Sequence, residues 1–300
     1  MNFSKKERMN SMNYRFLRFP GGKAKAVTLS YDDGCRHDIR FSQTITPRGI
    51  RCTFNINSGL FGKNDKDWHL TEEEIREHIV DAGHEIAVHG HLHMAPGLSR
   101  PVDCIQDILS CRLELEKTYD RIVRGMAYPD SGITNLQNGA SYDNIRRYLQ
   151  DLGIVYSRTL GGDNDSFRLP ADWMAWMPTA HHRNPKLMEY ARKFLADDPN
   201  KEGLYPANRY PRLFYLWGHS FEFHDHDEWD LLDRICDVLA GHEDVWYATN
   251  MEIYEYVHAY DSLIFSADGT KVYNPTLMTV WFHTDTKLYS VASGQTLNLE

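Results

Sequence analysis

The chain has 300 residues, with 33 Lys and Arg against 42 Asp and Glu, a net charge of −9. Its 42% hydrophobic and 25% charged residues are ordinary for a globular protein and exclude collagen-like, disordered and small disulfide-scaffold classes. The acidic balance argues against a nucleic-acid partner, and no apolar run approaches the roughly 18 residues that span a bilayer, so no membrane partner is expected.

Residues 1–22 are polar and basic, with no apolar stretch or small-residue cleavage site, and read as an N-terminal extension of a cytoplasmic protein. A buried strand is expected over 24–31, ending abruptly at Asp32, Asp33 and Gly34. A second follows at 52–57. Thr71 and Glu74 make a capping box for a helix that carries Ile75 and Ile79 and stops near Gly83. The next strand, 85–88, runs straight into His89. Ser99 and Pro101 open a helix with Ile105, Ile108 and Leu109, and a strand then leads up to Tyr128 and Pro129.

Ile145, Tyr148, Leu149 and Leu152 fall at i, i+3, i+4 and i+7, the period of an amphipathic helix, and Gly153 ends it. Strands are expected at 154–157, 173–177, 213–218 and 245–249, with helices around 185–196 and 227–240. Repeated strand–helix alternation predicts a parallel sheet, at this length a closed or nearly closed barrel. An open doubly wound sheet is the competing fold, but no G-x-G-x-x-G follows the first strand. From Ser262 onward apolar and polar residues alternate. Asp268 and Gly269 form a hairpin turn between 263–266 and 271–273, and further strands fall at 279–283 and 288–291. The chain thus divides into an extension (1–22), a barrel (23–260) and a small β-appendage (261–300). Five cysteines, Cys35, Cys52, Cys104, Cys111 and Cys236, form no C-x-x-C pair and read as reduced thiols.

Functional side chains of α/β barrels sit where strands end. Those points carry Asp32 and Asp33, then His89, His91 and His93, then Tyr128, and finally His219. Two histidines four apart on one face of a helical turn can reach one ion, and one carboxylate completes a catalytic zinc-type set with open positions. A second carboxylate beside it suits a general base, and a separate histidine a general acid. The same residues leave other arrangements open: an H-x-H pair, His89 with His91 or His91 with His93, as in amidohydrolase barrels, or a non-haem iron site.

The segment TLSYDDG at 28–34 resembles the first motif of the polysaccharide deacetylases, the NodB-homology family. EIAVHGHLH at 85–93 resembles their second motif, MAYP at 126–129 the third, and LWGH at 216–219 the last. The resemblance implies a distorted (β/α) barrel of about seven parallel strands and metal-dependent removal of an acetyl group from a carbohydrate. By position it implies Asp32 as base and Asp33, His89 and His93 as ligands of one divalent ion, zinc above all. The Tyr128 N–H would help hold the oxyanion, and His219 would be the acid. Trp217, beside His219, and His182 are candidate substrate contacts. Ala127 stands where the family's base-orienting Arg is expected, and Asp172-Trp173 matches the fourth motif only loosely. The expected partner is therefore an acylated carbohydrate or a smaller acylated substrate. A carbohydrate-binding pseudoenzyme, or a metal-dependent amidohydrolase acting on a small non-sugar amide, are the alternatives.

Overall fold

In the computed structural model, which describes residues 14–62, 68–160, 163–201 and 203–299, the chain enters through β1 (Phe16–Arg18) and turns at Pro20–Gly22. It then runs into β2 (Lys25–Asp32), all eight residues of which are buried. Strand–helix units follow: α1 (His37–Ile45), β3 (Cys52–Ile56), α2 (Glu72–Ile75), β4 (Glu85–Val88), α3 (Pro101–Tyr119), β5 (Gly125–Ala127), α4 (Tyr142–Asp151) and β6 (Tyr156–Arg158). After these come β7 (Ala180–His181), α5 (Leu187–Ala196), β8 (Arg212–Gly218), α6 (Ser220–Asp225), α7 (Trp229–Leu239), β9 (Val245–Tyr247) and α8 (Asn250–Asp261).

The strands pair in the order β6-β5-β4-β3-β2-β8-β7, all parallel, and β9 joins β2 at Lys25–Val27. One irregular stretch reaches both edges: Trp176 bridges to Arg158 in parallel, while Ala180 and His181 pair with Leu216 and Trp217. The sheet therefore curls back on itself as a distorted (β/α) barrel. The strand expected over 173–177 is mostly absent. The Asp172 carboxylate accepts the Met174 N–H at 2.9 Å and starts a 3-10 turn, Trp173–Ala175, leaving only Trp176 extended to bridge. The capping box holds: Glu74 N–H donates to Thr71 Oγ1 at 3.2 Å and Thr71 N–H to Glu74 Oε2 at 2.9 Å. Its helix then widens into a π turn at Arg76–Val80.

Beyond α8 lie β10 (Ile264–Phe265), β11 (Lys271–Tyr273), β12 (Val280–His283), β13 (Leu288–Val291) and β14 (Thr296–Asn298). β10, β11 and β14 form one antiparallel sheet, and β1, β12 and β13 another, with Phe16 opposite His283. Residues 16–18 thus belong to the same sheet as 280–283. Tyr256 on α8 ties that sheet to the barrel, its hydroxyl donating to Arg18 O at 2.8 Å and accepting the Trp281 N–H at 2.9 Å. Arg18 is buried, and its guanidinium donates to Asn200 Oδ1, Arg209 O and Pro199 O. This sheet borders Pro20–Gly22, where β2 begins, so it covers the end of the barrel opposite the strand C-termini. All five cysteines are free and buried. No helix among the described residues is long and apolar enough to cross a membrane.

Phe282 has no exposed surface in the appendage core, whereas Leu277 is 96% exposed. Phe282→Ala is expected to lower the unfolding free energy by about 3–5 kcal/mol. Leu277→Ala should stay within about 0.5 kcal/mol of the parent in the same urea titration.

Candidate active site

β2 ends at Asp32, paired across the ladder with Asn55 on β3. The Asp32 carboxylate is 2% exposed, and a charge so buried requires partners. Asn55 Nδ2 donates to its Oδ1 at 2.8 Å, and Arg158 Nη2 donates to its Oδ2. Arg158 is itself buried, with its guanidinium 4.3 Å from the Trp217 ring centroid. It lies directly opposite Ala127 in the β5–β6 register. The cation that Ala127 does not supply thus comes from the neighbouring strand. At Asp33 the backbone turns left-handed (φ 80), a conformation rare outside glycine. Extended residues alternate between faces, and this break lets two successive carboxylates serve one cavity.

Asp33 Oδ1 lies 3.5 Å from both His89 Nε2 and His93 Nε2. Burial opposes its ionisation, but the hydrogen bond and charge of His89, with His219 and His93, hold the carboxyl down at about 2. The histidines do not share a helical turn, as the spacing had suggested. Residues 89–93 form an irregular loop with left-handed backbone at Gly90 (φ 77) and His93 (φ 60). Asp107 on α3 fixes it: its Oδ1 accepts the Leu92 N–H at 2.7 Å and its backbone oxygen the His91 N–H at 3.2 Å. A Cβ on Gly90 would meet Asp107 Oδ2 at 2.4 Å, so only glycine fits. His91 points elsewhere, toward Ser58 Oγ (2.9 Å) and Glu114 (3.3 Å).

His89 Nδ1 is 2.9 Å from Ala127 O. A carbonyl only accepts, so Nδ1 keeps a proton, and it is the neutral ring, with its second proton given up, that offers the Nε2 lone pair on the side of Asp33. That is the tautomer a metal-ligating histidine needs. One ligand atom from each of Asp33, His89 and His93 lies within 4.8 Å of the others, and this donor set fits one divalent cation.

His219 follows β8 and caps α6, its Nε2 being 3.9 Å from Asp32 Oδ2 and 4.0 Å from Asp33 Oδ2. Its Nδ1 is 3.3 Å from Glu222 Oε2. Burial lowers its pKa, but the Glu222 hydrogen bond and the charges of Asp32 and Asp33 outweigh that and raise it. His181, His219 and Glu222 form a second cluster with metal-compatible spacing. There the tautomer is wrong for a ligand. Arg183 N–H donates to His181 Nδ1 at 3.2 Å, so neutral His181 bears its proton on Nε2, facing Glu222 Oε2 at 3.0 Å.

Two expected contacts are corrected. The Tyr128 N–H is spent on Arg158 O at 3.0 Å and its ring is buried, its hydroxyl donating to Met174 O, so it offers nothing to an oxyanion. His182 is buried behind the site, with its ring 4.2 Å from that of Phe223 and its Nδ1 3.3 Å from the Tyr31 hydroxyl. Burial and His181 push its pKa down to about 3, so it stays neutral. Trp217 is half-buried at the mouth of the site, its ring centroid 4.6 Å from that of His181 and 5.8 Å from that of His219. Asn55, Arg158 and Glu222 escaped the sequence reading. Only Glu222, three residues after His219, carried a local signal.

Removing Arg158 would strand a buried carboxylate, so Arg158→Ala is expected to cost about 3–5 kcal/mol of unfolding free energy. Adding Asp32→Asn should recover most of that loss in chemical denaturation. A double variant no more stable than Arg158→Ala would contradict the pairing.

Residues 13–157 match the family model described as polysaccharide deacetylase. No curated protein matches the chain in sequence. Among solved structures, the "probable Polysaccharide deacetylase" of Pseudomonas aeruginosa PAO1 is 13% identical with a TM-score of 0.54, over 80% of this chain and 93% of that one. Puue allantoinase is 15% identical with a TM-score of 0.55, over 80% and 92%. Both share the fold. The deacetylase PplD of Streptococcus pyogenes, in complex with acetate, is 18% identical with a TM-score of 0.37, over 45% of this chain and 55% of that one. This chain therefore spans about half the length of that protein.

Proposed function

From the match of residues 13–157 to the polysaccharide deacetylase family model, we infer that the chain is a metal-dependent hydrolase that removes an acetyl or other acyl group from a carbohydrate. The observation that carries this reading is the meeting of a ligand-competent Asp33–His89–His93 set with two flanking proton carriers. Asp32 Oδ2 and His219 Nε2 stand 3.9 Å apart beside that set. Two imidazoles and one carboxylate suit Zn²⁺. When bound, such an ion supplies Lewis-acid polarisation of the acyl oxygen and lowers the pKa of a coordinated water.

The chain's own residues do the rest. Asp32, with one oxygen held by Asn55 and the other by Arg158, is oriented to take the proton of the attacking water. His219, whose pKa is raised, is suited to hold a proton near neutral pH and to give it from Nε2 to the departing amine or alkoxide. Trp217, pinned on one face by Arg158, offers a half-buried indole for packing against a sugar ring. Burial of Asp32, His89 and Arg158 limits the access of bulk water to the base.

Metal analysis of the purified protein should find one divalent ion per chain, lost in Asp33→Ala, His89→Ala and His93→Ala and kept in His91→Ala. Equal loss from His91→Ala and His93→Ala would mean that the ligand set is misassigned. On acetylated oligosaccharides, Asp32→Asn should retain the ion but lose on the order of 10²–10⁴ in rate. His219→Ala should impair N-acetyl substrates more than activated aryl acetates, whose leaving groups need little protonation. Full activity in Asp32→Asn would sink the mechanism.

A further inference from the structure

We propose that Glu222 is the positioning residue of His219 and that His181 in turn holds Glu222, an inference that rests on the acid role of His219 given above. A single oxygen, Glu222 Oε2, gathers the contacts. It accepts the His219 backbone N–H at 3.2 Å, faces His219 Nδ1 at 3.3 Å and His181 Nε2 at 3.0 Å, and has the buried His182 Nε2 at 3.5 Å behind it. A helix cap alone would need only the first of these. The others come from the His219 ring and from β7, in register with Trp217 but some forty residues upstream of Glu222.

The hydrogen-bond inventory fixes the direction of each donor. An ionised carboxylate only accepts, so His219 must present Nδ1–H to Glu222. That leaves Nε2 as the atom turned toward Asp32 and Asp33, where a leaving group has to be met. Free imidazole in water has no such constraint, and the Glu222 backbone N–H, which the His219 ring also faces at the helix cap, would by itself favour the opposite tautomer. His181 works one step further back. The Arg183 N–H occupies its Nδ1, so its Nε2–H has Glu222 as its acceptor, and the adjoining Trp217 ring limits its rotation. The carboxylate is thus held from a strand and from a helix at once, which a rotamer change in Glu222 would have to break together.

The test is ¹⁵N-histidine NMR of the zinc-loaded protein at a pH alkaline enough for the His219 ring to be neutral, with the His219 signals assigned by comparison with His219→Gln. Wild type should show His219 protonated at Nδ1. In Glu222→Ala the signals should move to a tautomer mixture, and kcat on an N-acetylated chito-oligosaccharide should fall on the order of 10²-fold while KM changes by less than about threefold. Glu222→Gln, whose amide oxygen still accepts from Nδ1–H and whose size preserves the cap, should restore the tautomer and most of kcat. His181→Ala should give an intermediate shift. Persistence of the Nδ1–H form in Glu222→Ala, or a Glu222→Gln variant as impaired as Glu222→Ala, would overturn the proposal. The NMR result decides the positioning even if the wild-type protein turns over no acyl substrate, so failure of that wider reading is told apart from failure of this one.

Discussion

A carboxylate with almost no exposed surface, Asp32, stands at the end of the most buried strand of the barrel, with a second carboxylate next to it in sequence. Taking such a charge out of water costs several kcal/mol unless a partner comes with it. The partner is Arg158, and its position is informative. β6 is four strands away from β2 along the sheet, so Arg158 can reach Asp32 only because the sheet curls and its side chain crosses the interior. The same curl carries the stretch from Trp176 to His181 between β6 and β8, and brings Trp217 over the guanidinium. Barrel closure and the setting of the Asp32 carboxylate are therefore one constraint met by one buried ion pair.

The two histidine clusters differ through the backbone groups behind them. His89 leans on a carbonyl, Ala127 O, so its neutral ring turns a bare Nε2 toward Asp33. His181 leans on an amide, Arg183 N–H, and so turns a protonated Nε2 toward Glu222. Identical side chains at comparable spacings become an acceptor in one place and a donor in the other. Ala127 thus has a role that its side chain does not suggest: its carbonyl sets the His89 tautomer, while its small methyl stands opposite Arg158 in the register.

Strand-end logic recovers the parts of the site that local sequence encodes. Asp32, His89 and His219 each end an apolar run, Asp33 and His93 follow within four residues, and the structure brings all five together. β2, β3, β4, the Thr71 capping box and the 263–273 hairpin were legible for the same reason, since their signals lie within a few residues. The remainder depends on contacts between distant segments. The spacing of His89 and His93 suggests a helical turn, but Asp107 on α3 and the left-handed Gly90 and His93 build a loop that does the same work. Tyr128 and His182 lie at strand ends like the five residues that meet, yet the first has its N–H bonded within the sheet and the second turns inward against Phe223. Arg158 lies just past the strand expected at 154–157 with no local signal, and only the β5–β6 register gives it a purpose.

Left-handed backbone at Asp33 and His93 costs about 1–3 kcal/mol at each residue and persists only where the surroundings over-determine it. Here they do. Asp33 sits between the end of β2, locked on both sides by β3 and β8, and the Gly34 carbonyl that accepts the Leu70 N–H at 3.0 Å. His93 follows the loop that Asp107 pins. Two of the three candidate ligands are thus held in unfavourable conformations by rigid elements, which sets their donor atoms in place before any ion arrives. The antiparallel sheet of β1, β12 and β13 adds stability at the opposite end of the barrel, where the strands begin and no residue of this site lies. The left-handed residues lie at the strand ends and the added sheet at the strand starts, and the long buried β2 connects the two.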